Sequence, residues 1–344
     1  MKVIQVVSGN IPIQETGERR WGAVELIQRE YQKKLQYLGV ECDIKWLNDV
    51  DMSQNPIVHI HVANLCLEAQ KRGIPYIYSN HDHTSVHYGK DSWLYNQQLE
   101  AIKGSVFSIC HAESVINFFD KTDKLFYLPH GVDTSFYKPA PIQTKQKRLL
   151  MVASNGMAGD YGIDRKGFRY GIEAAKRLNM PITIVGTEAN HKFFEIHKDL
   201  LEYQLLTIDS SNPTEAKKLE YFDSHSIFLH PSYLEFGSPN LTLLEAWSCG
   251  LPTIAAYDGK REISGLLVLK NLDVAEICEK IEYAYANYED IVAKMAVNRE
   301  YHDWETIVEQ LHKMYISYTK IKSVEPTHIV KEKYTQLYDK TNRI

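Results

Sequence analysis

Two carboxylates, Glu235 and Glu245, lie in the stretch from Leu229 to Ala255, LHPSYLEFGSPNLTLLEAWSCGLPTIA. A short apolar strand, 226–229, leads into a loop that holds Glu235, Gly237 and a Ser238-Pro239-Asn240 turn. A helix is expected from Pro239–Asn240, with Leu241, Leu244 and Trp247 on its buried side. Gly250 caps it, and Pro252 stops it before the strand 253–256. In a doubly wound sheet a loop of this kind sits at the carboxyl edge of the strands, where ligands bind. The free N–H groups and dipole of the helix start favour an anion such as a diphosphate. Glu245 could accept hydrogen bonds there from a ribose diol and Glu235 from a sugar hydroxyl. An ordinary αβ unit with solvated glutamates accounts for the same pattern.

Two further clusters carry chemistry. Asp164-Arg165-Lys166-Gly167-Phe168 follows a Gly- and Asn-rich loop and precedes a helix expected over 169–178. Arg165 and Lys166 could neutralise a diphosphate whose charge rises as it departs, or could be an exposed basic helix start. Asn80-His81-Asp82-His83-Thr84-Ser85 follows the strand 75–79, again at a carboxyl edge. His81, Asp82, His83 and His87 are all metal-ligand types. In an extended segment, however, neighbours point to opposite sides, so at most two would converge. His59 and His61 lie two apart in PIVHIHV and share one strand face, which suits core or strand-end histidines better than a metal pair. Asp49-Val50-Asp51 reads as a solvated loop. The loop after the first strand offers Gly17-Glu18-Arg19-Arg20-Trp21-Gly22, either a basic turn or a binding loop.

The elements that must hold these groups alternate along the chain. Strands are expected at 1–8, 40–46, 56–62, 75–79, 106–110 and 125–128, then at 149–153, 181–186, 205–208, 226–229, 253–256 and 265–269. Helical periodicity fills most gaps and continues over 274–287 and 288–320, with a Lys- and Tyr-rich tail, 323–344. Alternation of this kind specifies an α/β fold with parallel sheets. Pro139-Ala140-Pro141 and the basic run 145–148 mark a boundary. The chain has 344 residues, 44% hydrophobic and 24% charged, enough for two domains. It shows no apolar run long enough to span a bilayer and no signal peptide. Five scattered cysteines without CxxC spacing suggest reduced thiols, no zinc knuckle and a cytoplasmic location, the host cytoplasm if the protein is viral. A net charge of −5 gives no global basic signature for nucleic acid.

Glu245-Ala246-Trp247-Ser248-Cys249-Gly250-Leu251-Pro252 closely resembles the C-terminal signature of the retaining family 4 glycosyltransferases of the GT-B fold. That family has seven residues between its two glutamates, whereas nine separate Glu235 from Glu245, and Gly237 stands at the strict first-glutamate position. His130-Gly131-Val132-Asp133 through Pro139 resembles the segment that closes the family's first domain, Val58–His61 its histidine-bearing strand, and Lys166-Gly167 its basic helix start. The wording around His81-Asp82-His83, through Cys110-His111, is similar to the DNA α-glucosyltransferases of T-even phages.

The resemblance implies two Rossmann-like domains facing across a cleft. Residues 1–140 would form the acceptor side, with C-terminal helices of 305–344 packing back on it, and 146–304 would bind the nucleotide-sugar. It implies a retaining, metal-independent sugar transfer from a nucleotide-sugar, most simply a UDP-sugar, with no cofactor. His81, Asp82, His83, Glu235, Arg165 and Lys166 would be catalytic. Glu245, Gly237, Ser238, Asn240, Leu241, Arg165 and Lys166 would bind the donor, and Gly17, Arg19, Arg20, Trp21 and His130 the acceptor. The leading acceptor is a 5-hydroxymethylated pyrimidine in phage DNA, and the rival is a cell-surface glycan or lipid-linked sugar. Two other classes remain open: a metal-dependent hydrolase using His81–His83, and an inactive sugar-nucleotide-binding module suggested by the displaced first glutamate.

Overall fold

The computed structural model describes residues 1–8, 22–119, 124–141, 144–153, 157–158, 163–233, 235, 239–257, 259, 262–297 and 299–322. The chain divides into two compact units, Met1–His130 together with the segment from Trp304 onward, and Gly131–Asp303.

The first unit is built on β1 (Lys2–Val6), α1 (Ala23–Tyr37), β2 (Glu41–Lys45), β3 (Ile57–Ile60), α2 (Ala63–Lys71), β4 (Ile77–Asn80), α3 (Thr84–Tyr88), α4 (Trp93–Gly104), β5 (Ser108–Cys110), α5 (Glu113–Phe118) and β6 (Leu125–Tyr127). Its strands form one six-stranded sheet in the order β2-β1-β3-β4-β5-β6, with every pairing parallel. Parallel strands covered on both faces are shielded from water along their whole length and are mostly apolar. Accordingly β3 and β4 are buried throughout. α1 presents Ile27, Tyr31 and Leu35, spaced by four, to the core. The long helix Trp304–Lys322, the last described in the chain, packs on α1. Trp304 meets the Tyr31 ring edge-on at 5.8 Å, and Lys34 pairs with Glu305 at 2.9 Å.

The second unit carries β7 (Gln146–Val152), β8 (Met157–Ala158), β9 (Ile163–Asp164), α6 (Phe168–Arg177), β10 (Ile182–Val185), α7 (His191–Ile196), β11 (Leu206–Asp209), α8 (Glu215–Ser224), β12 (His225–His230), α9 (Leu241–Ser248), β13 (Thr253–Ala255), β14 (Leu267–Val268), α10 (Val274–Ala286) and α11 (Tyr288–Ala296). Its main sheet is also six-stranded and parallel, in the order β11-β10-β7-β12-β13-β14. Trp247, Phe228, Phe168 and Phe222 fill its core.

Two sequence expectations change here. The single helical pattern over 288–320 is broken: α11 ends at Ala296, a 3₁₀ turn covers Arg299–His302, and α12 (Trp304–Lys322) follows. The break has a polar cause. Arg299 donates to the carbonyls of Thr134 and Tyr137 at 3.1 and 3.0 Å, and Asp303 accepts from Thr134 N at 3.1 Å. Those bonds also tie residues 131–137 to the second unit, Gly131–Asp303. The second change is the short helix α3, which replaces the extended chain expected around His83–His87.

Candidate functional site

In the second unit the carboxyl edge gathers its charged groups between β9, β12 and α9. Lys166 follows β9. The next residue, Gly167, has φ +70°, and a Cβ on it would sit 2.5 Å from the Pro231 carbonyl oxygen, so only glycine lets this turn close against the end of β12. Asp164 fixes the turn from the other side by accepting from Phe168 N at 2.9 Å and Arg169 N at 2.8 Å, which caps α6. Lys166 Nζ thereby reaches Glu235 Oε1 at 2.6 Å, and Ser232 Oγ donates to the same oxygen at 2.6 Å.

Both members of this pair are largely buried, with side-chain exposures of 11% and 18%. Burial opposes ionisation of Glu235. Lys166 outweighs that and holds the carboxyl well below its ordinary range. Burial draws the Lys166 ammonium down, with Glu235 opposing and Arg165 adding to the shift. The Nε of Arg165 is buried without a hydrogen-bond partner among the described residues. Asn240 caps α9: its Oδ1 accepts from Leu243 N at 2.9 Å and its Nδ2 donates to His230 Nε2 at 2.6 Å. A buried carboxylate neutralised by one cation, a second cation beside it and a capped helix N-terminus make an edge suited to an anion.

Glu245, in the second turn of α9, takes part in a different set of contacts. It is buried, with its Oε2 2.8 Å from Lys218 Nζ on α8, and Lys218 also pairs with Glu215 at 2.8 Å. Tyr137 donates a hydrogen bond to Glu215, and Lys218 lies over the Tyr137 ring. Burial, partly offset by Lys218, raises the Glu245 pKa. Burial of Lys218 is more than offset by Glu245 and Glu215, so its ammonium is raised.

In the first unit, four adjacent parallel strands, β3 to β6, each end in a histidine: His61, His81 and His111 directly after β3, β4 and β5, and His130 shortly after β6. Adjacent strands lie about 4.8 Å apart, so residues at one register form a row at that spacing. The rings stack accordingly, with centroids 5.1 Å apart for His61–His81, 4.3 Å for His81–His111 and 4.3 Å for His111–His130. His59, one turn of the pleat earlier, stacks on His61 at 4.4 Å and is held by Tyr315 OH at 2.6 Å and Ser79 Oγ at 2.8 Å.

Hydrogen bonds set the tautomers. Gln5 donates its amide to Tyr315 OH at 3.3 Å and turns Oε1 to His61 Nε2 at 2.6 Å, which therefore carries the proton. His61 Nδ1 then accepts from His81 Nε2 at 2.8 Å, and His81 Nδ1 keeps a lone pair, 3.4 Å from His130 Nε2. His111 Nδ1 donates to the Leu128 carbonyl at 2.7 Å, leaving Nε2 bare and buried. Burial keeps four of these imidazoles neutral: it pushes His59 down to about 3, and, with neighbouring imidazoles, holds His61, His81 and His111 well below the ordinary value.

Beside this row lies a cavity of about 550 Å³ lined by His61, His81, Asp82, Asn64, Gln97 and Trp93, among others, with no Lys or Arg among the described residues that line it.

Of the residues expected to act, Lys166, Glu235, Asn240 and the helix start at Leu241 lie together with Arg165. Glu245 is joined instead to Lys218. His81 and His130 enter the histidine row, and Asp82 lines the cavity, exposed. His83 is buried at the start of α3, and His87 lies in α3 against Tyr88. The set His81, Asp82, His83 and His87 is therefore not assembled as a metal cluster; among the described residues the grouping that forms is His81, His111 and His130. Gly237, Ser238, Gly17, Arg19, Arg20 and Trp21 lie outside the described residues. Gln5, His111, Ser232 and Lys218 were not singled out as site residues from sequence. A signal for His111 existed: it follows its strand as His81 follows the neighbouring one.

Residues 154–287 match the family model described as Glycosyl transferases group 1. No curated protein matches the chain in sequence. Solved structures resemble it along nearly its whole length. The Anabaena protein Alr3699/HepE, in complex with UDP and glucose, is 13% identical with a TM-score of 0.68, covering 92% of this chain and 99% of its own. WaaG, a glycosyltransferase involved in lipopolysaccharide biosynthesis, is 14% identical with a TM-score of 0.61, covering 90% and 98%. AviGT4, a glycosyltransferase involved in avilamycin A biosynthesis, is 15% identical with a TM-score of 0.60, covering 91% and 96%. The two parallel six-stranded sheets and these likenesses establish the chain as an α/β protein of the two-domain GT-B fold.

Proposed function

We propose that this protein is a glycosyltransferase that moves a hexose from a UDP-sugar to a hydroxyl acceptor with retention of anomeric configuration. The observation that carries the proposal is the buried Lys166–Glu235 pair with Arg165 beside it and the capped start of α9 close by, in the part of the chain that matches the glycosyl transferases group 1 model. The Anabaena structures hold UDP, UDP with glucose, and UDP-glucose, which supports uridine diphosphate as the donor's leaving group. In the reaction, the bond between the anomeric carbon and the diphosphate oxygen breaks. The acceptor oxygen bonds to the same face of the sugar, and its proton passes to the departing phosphate oxygen. Arg165, Lys166 and the N–H groups of α9 stabilise the negative charge that develops there.

The acceptor we favour is a 5-hydroxymethylated pyrimidine in DNA. Such a base would have to leave the duplex, and the cavity beside His81 offers an aromatic face, Trp93, with the amides of Asn64, Gln97 and Gln98 for its edges. A neutral glycan is the second reading, favoured by the net charge of −5 and by the lack of Lys and Arg among the described residues of that lining. The test is UDP-glucose turnover on wild type and Lys166→Met, with hydroxymethylated duplex, unmodified duplex and oligosaccharides as acceptors. Transfer to hydroxymethylated DNA alone, lowered about 10²–10³-fold in Lys166→Met, is the expected result. Transfer only to oligosaccharides selects the second reading, and no turnover of any sugar nucleotide refutes both.

A further inference from the structure

We propose that His81, His111 and His130 form a binding site for a divalent transition-metal ion of the zinc class, built across three neighbouring strand ends of the first unit. Three imidazoles are a ligand set suited to zinc, cobalt or nickel rather than to magnesium or calcium. The candidate ligand atoms of the three residues all lie within 4.8 Å of one another. His81 Nδ1 and His130 Nε2 are 3.4 Å apart. Two nitrogens about 2.0–2.1 Å from a tetrahedral ion are separated by about 3.3–3.4 Å, so this pair already has the required spacing.

The surrounding bonds are those of a prepared site. Ligating histidines usually donate their other N–H to a carbonyl or another fixed acceptor, which sets the tautomer and directs the lone pair. His111 does this through Leu128 O, and its buried Nε2 meets no hydrogen-bond partner among the described residues. His81 does it through His61, whose own tautomer is fixed by Gln5.

The rings are nearly parallel, at 13° for His81–His111 and 22° for His111–His130, so in this arrangement their lone pairs do not meet at one point. Ligation turns the rings out of the stack about their Cβ–Cγ bonds, with the strand ends left in place. His81, one of the three ligands, also lines the cavity, and a tetrahedral ion held by three imidazoles keeps a fourth position for water.

The experiment is a Co²⁺ titration of the chelator-stripped full-length chain near neutral pH, followed by visible absorption. The expected result is the ligand-field spectrum of four-coordinate cobalt, saturating at one ion per chain and displaced by Zn²⁺. His111→Gln abolishes it, and His191→Gln, an exposed histidine of the second unit, leaves it unchanged. X-ray absorption on the wild-type complex counts imidazole ligands without any variant: three support the site, and fewer overturn it. Absence of a saturable spectrum, or its persistence in a folded His111→Gln protein, also overturns it. The site does not depend on the proposed transfer activity, so a protein that transfers no sugar can still bind cobalt, and a glycosyltransferase can fail to.

Discussion

Replacing Lys166 by Met removes the cation from a carboxylate that is only 18% exposed. Breaking one side of a buried pair typically costs about 3–5 kcal/mol, and the residual exposure of both groups together with the remaining Ser232 hydrogen bond places the expected loss near the lower end, about 3 kcal/mol at neutral pH. The dependence on pH distinguishes this from a simple packing defect. In the wild type Glu235 is held below its ordinary pKa, so its contribution is present above the unfolded value of about 4.3 and is lost only as pH falls through the folded value. In Lys166→Met the largest remaining influence is burial, which raises the carboxyl above its ordinary pKa. The folded mutant then binds a proton more readily than its unfolded chain and gains stability as pH falls. The gap between wild type and mutant should narrow by roughly 1.4 kcal/mol for each pH unit below the mutant's Glu235 pKa. Amide exchange of β12 reports the stability of the second unit specifically. The double variant Lys166→Met/Glu235→Gln should cost less than Lys166→Met alone. A gap below about 1 kcal/mol, or one that does not change between about pH 7.5 and pH 5, would show that solvent already screens the pair.

Other perturbations follow from single contacts. Asn240→Ala removes the cap of α9 and should cost about 1 kcal/mol, while Asn240→Asp retains the cap, as thermal or urea unfolding will show. Gly167→Ala forces a Cβ into the Pro231 carbonyl at a left-handed residue and should cost more than the roughly 1–2 kcal/mol of the backbone term alone; sugar transfer should fall with it, because Lys166 is the preceding residue. His59, His61, His81 and His111 are all lowered, so their stabilisation is complete above the unfolded value near 6.5 and is lost as pH falls toward the folded values. Each should add up to about 1.4 kcal/mol per pH unit to the acid sensitivity of the first unit, and His59→Gln should remove one proton's share.

The alternation of apolar runs and glycine-ended helices was enough to place nearly every strand, because parallel strands buried on both faces announce themselves by composition. α9 was legible down to its cap: Asn240 precedes the first helical residue, and Gly250 follows the last turn with φ +69°. The break between α11 and α12 was not legible. The periodicity runs on through it, and what interrupts the helix is a set of bonds from Arg299 and Asp303 to residues more than a hundred and sixty positions earlier. Glu245 gives the same lesson at the site. Its place on the helix could be read from sequence, but not its partner Lys218, which depends on how α8 packs.

The histidines show most clearly what strand order adds. Along the sequence His61, His81, His111 and His130 are separate residues in separate loops, and proximity in sequence suggested His81, Asp82 and His83 as the cluster. The order β3-β4-β5-β6 instead joins residues that each follow a strand end, and the parallel pairing sets their spacing. The two carboxyl edges then differ in charge for reasons internal to each unit. In the second unit, burial is offset by pairing, so Lys166, Glu235 and Arg165 present ionised groups suited to a diphosphate that gains charge as it leaves. In the first, burial keeps His59, His61, His81 and His111 neutral, beside a cavity with no Lys or Arg among the described residues that line it. A neutral edge suits an uncharged hydroxyl acceptor, since charge appears on the leaving group and the acceptor needs only orientation and an exit for one proton. It also leaves lone pairs exposed to any ion that reaches them. An imidazole row suited to the acceptor proposed above is therefore, on the same chemistry, a row that zinc can occupy.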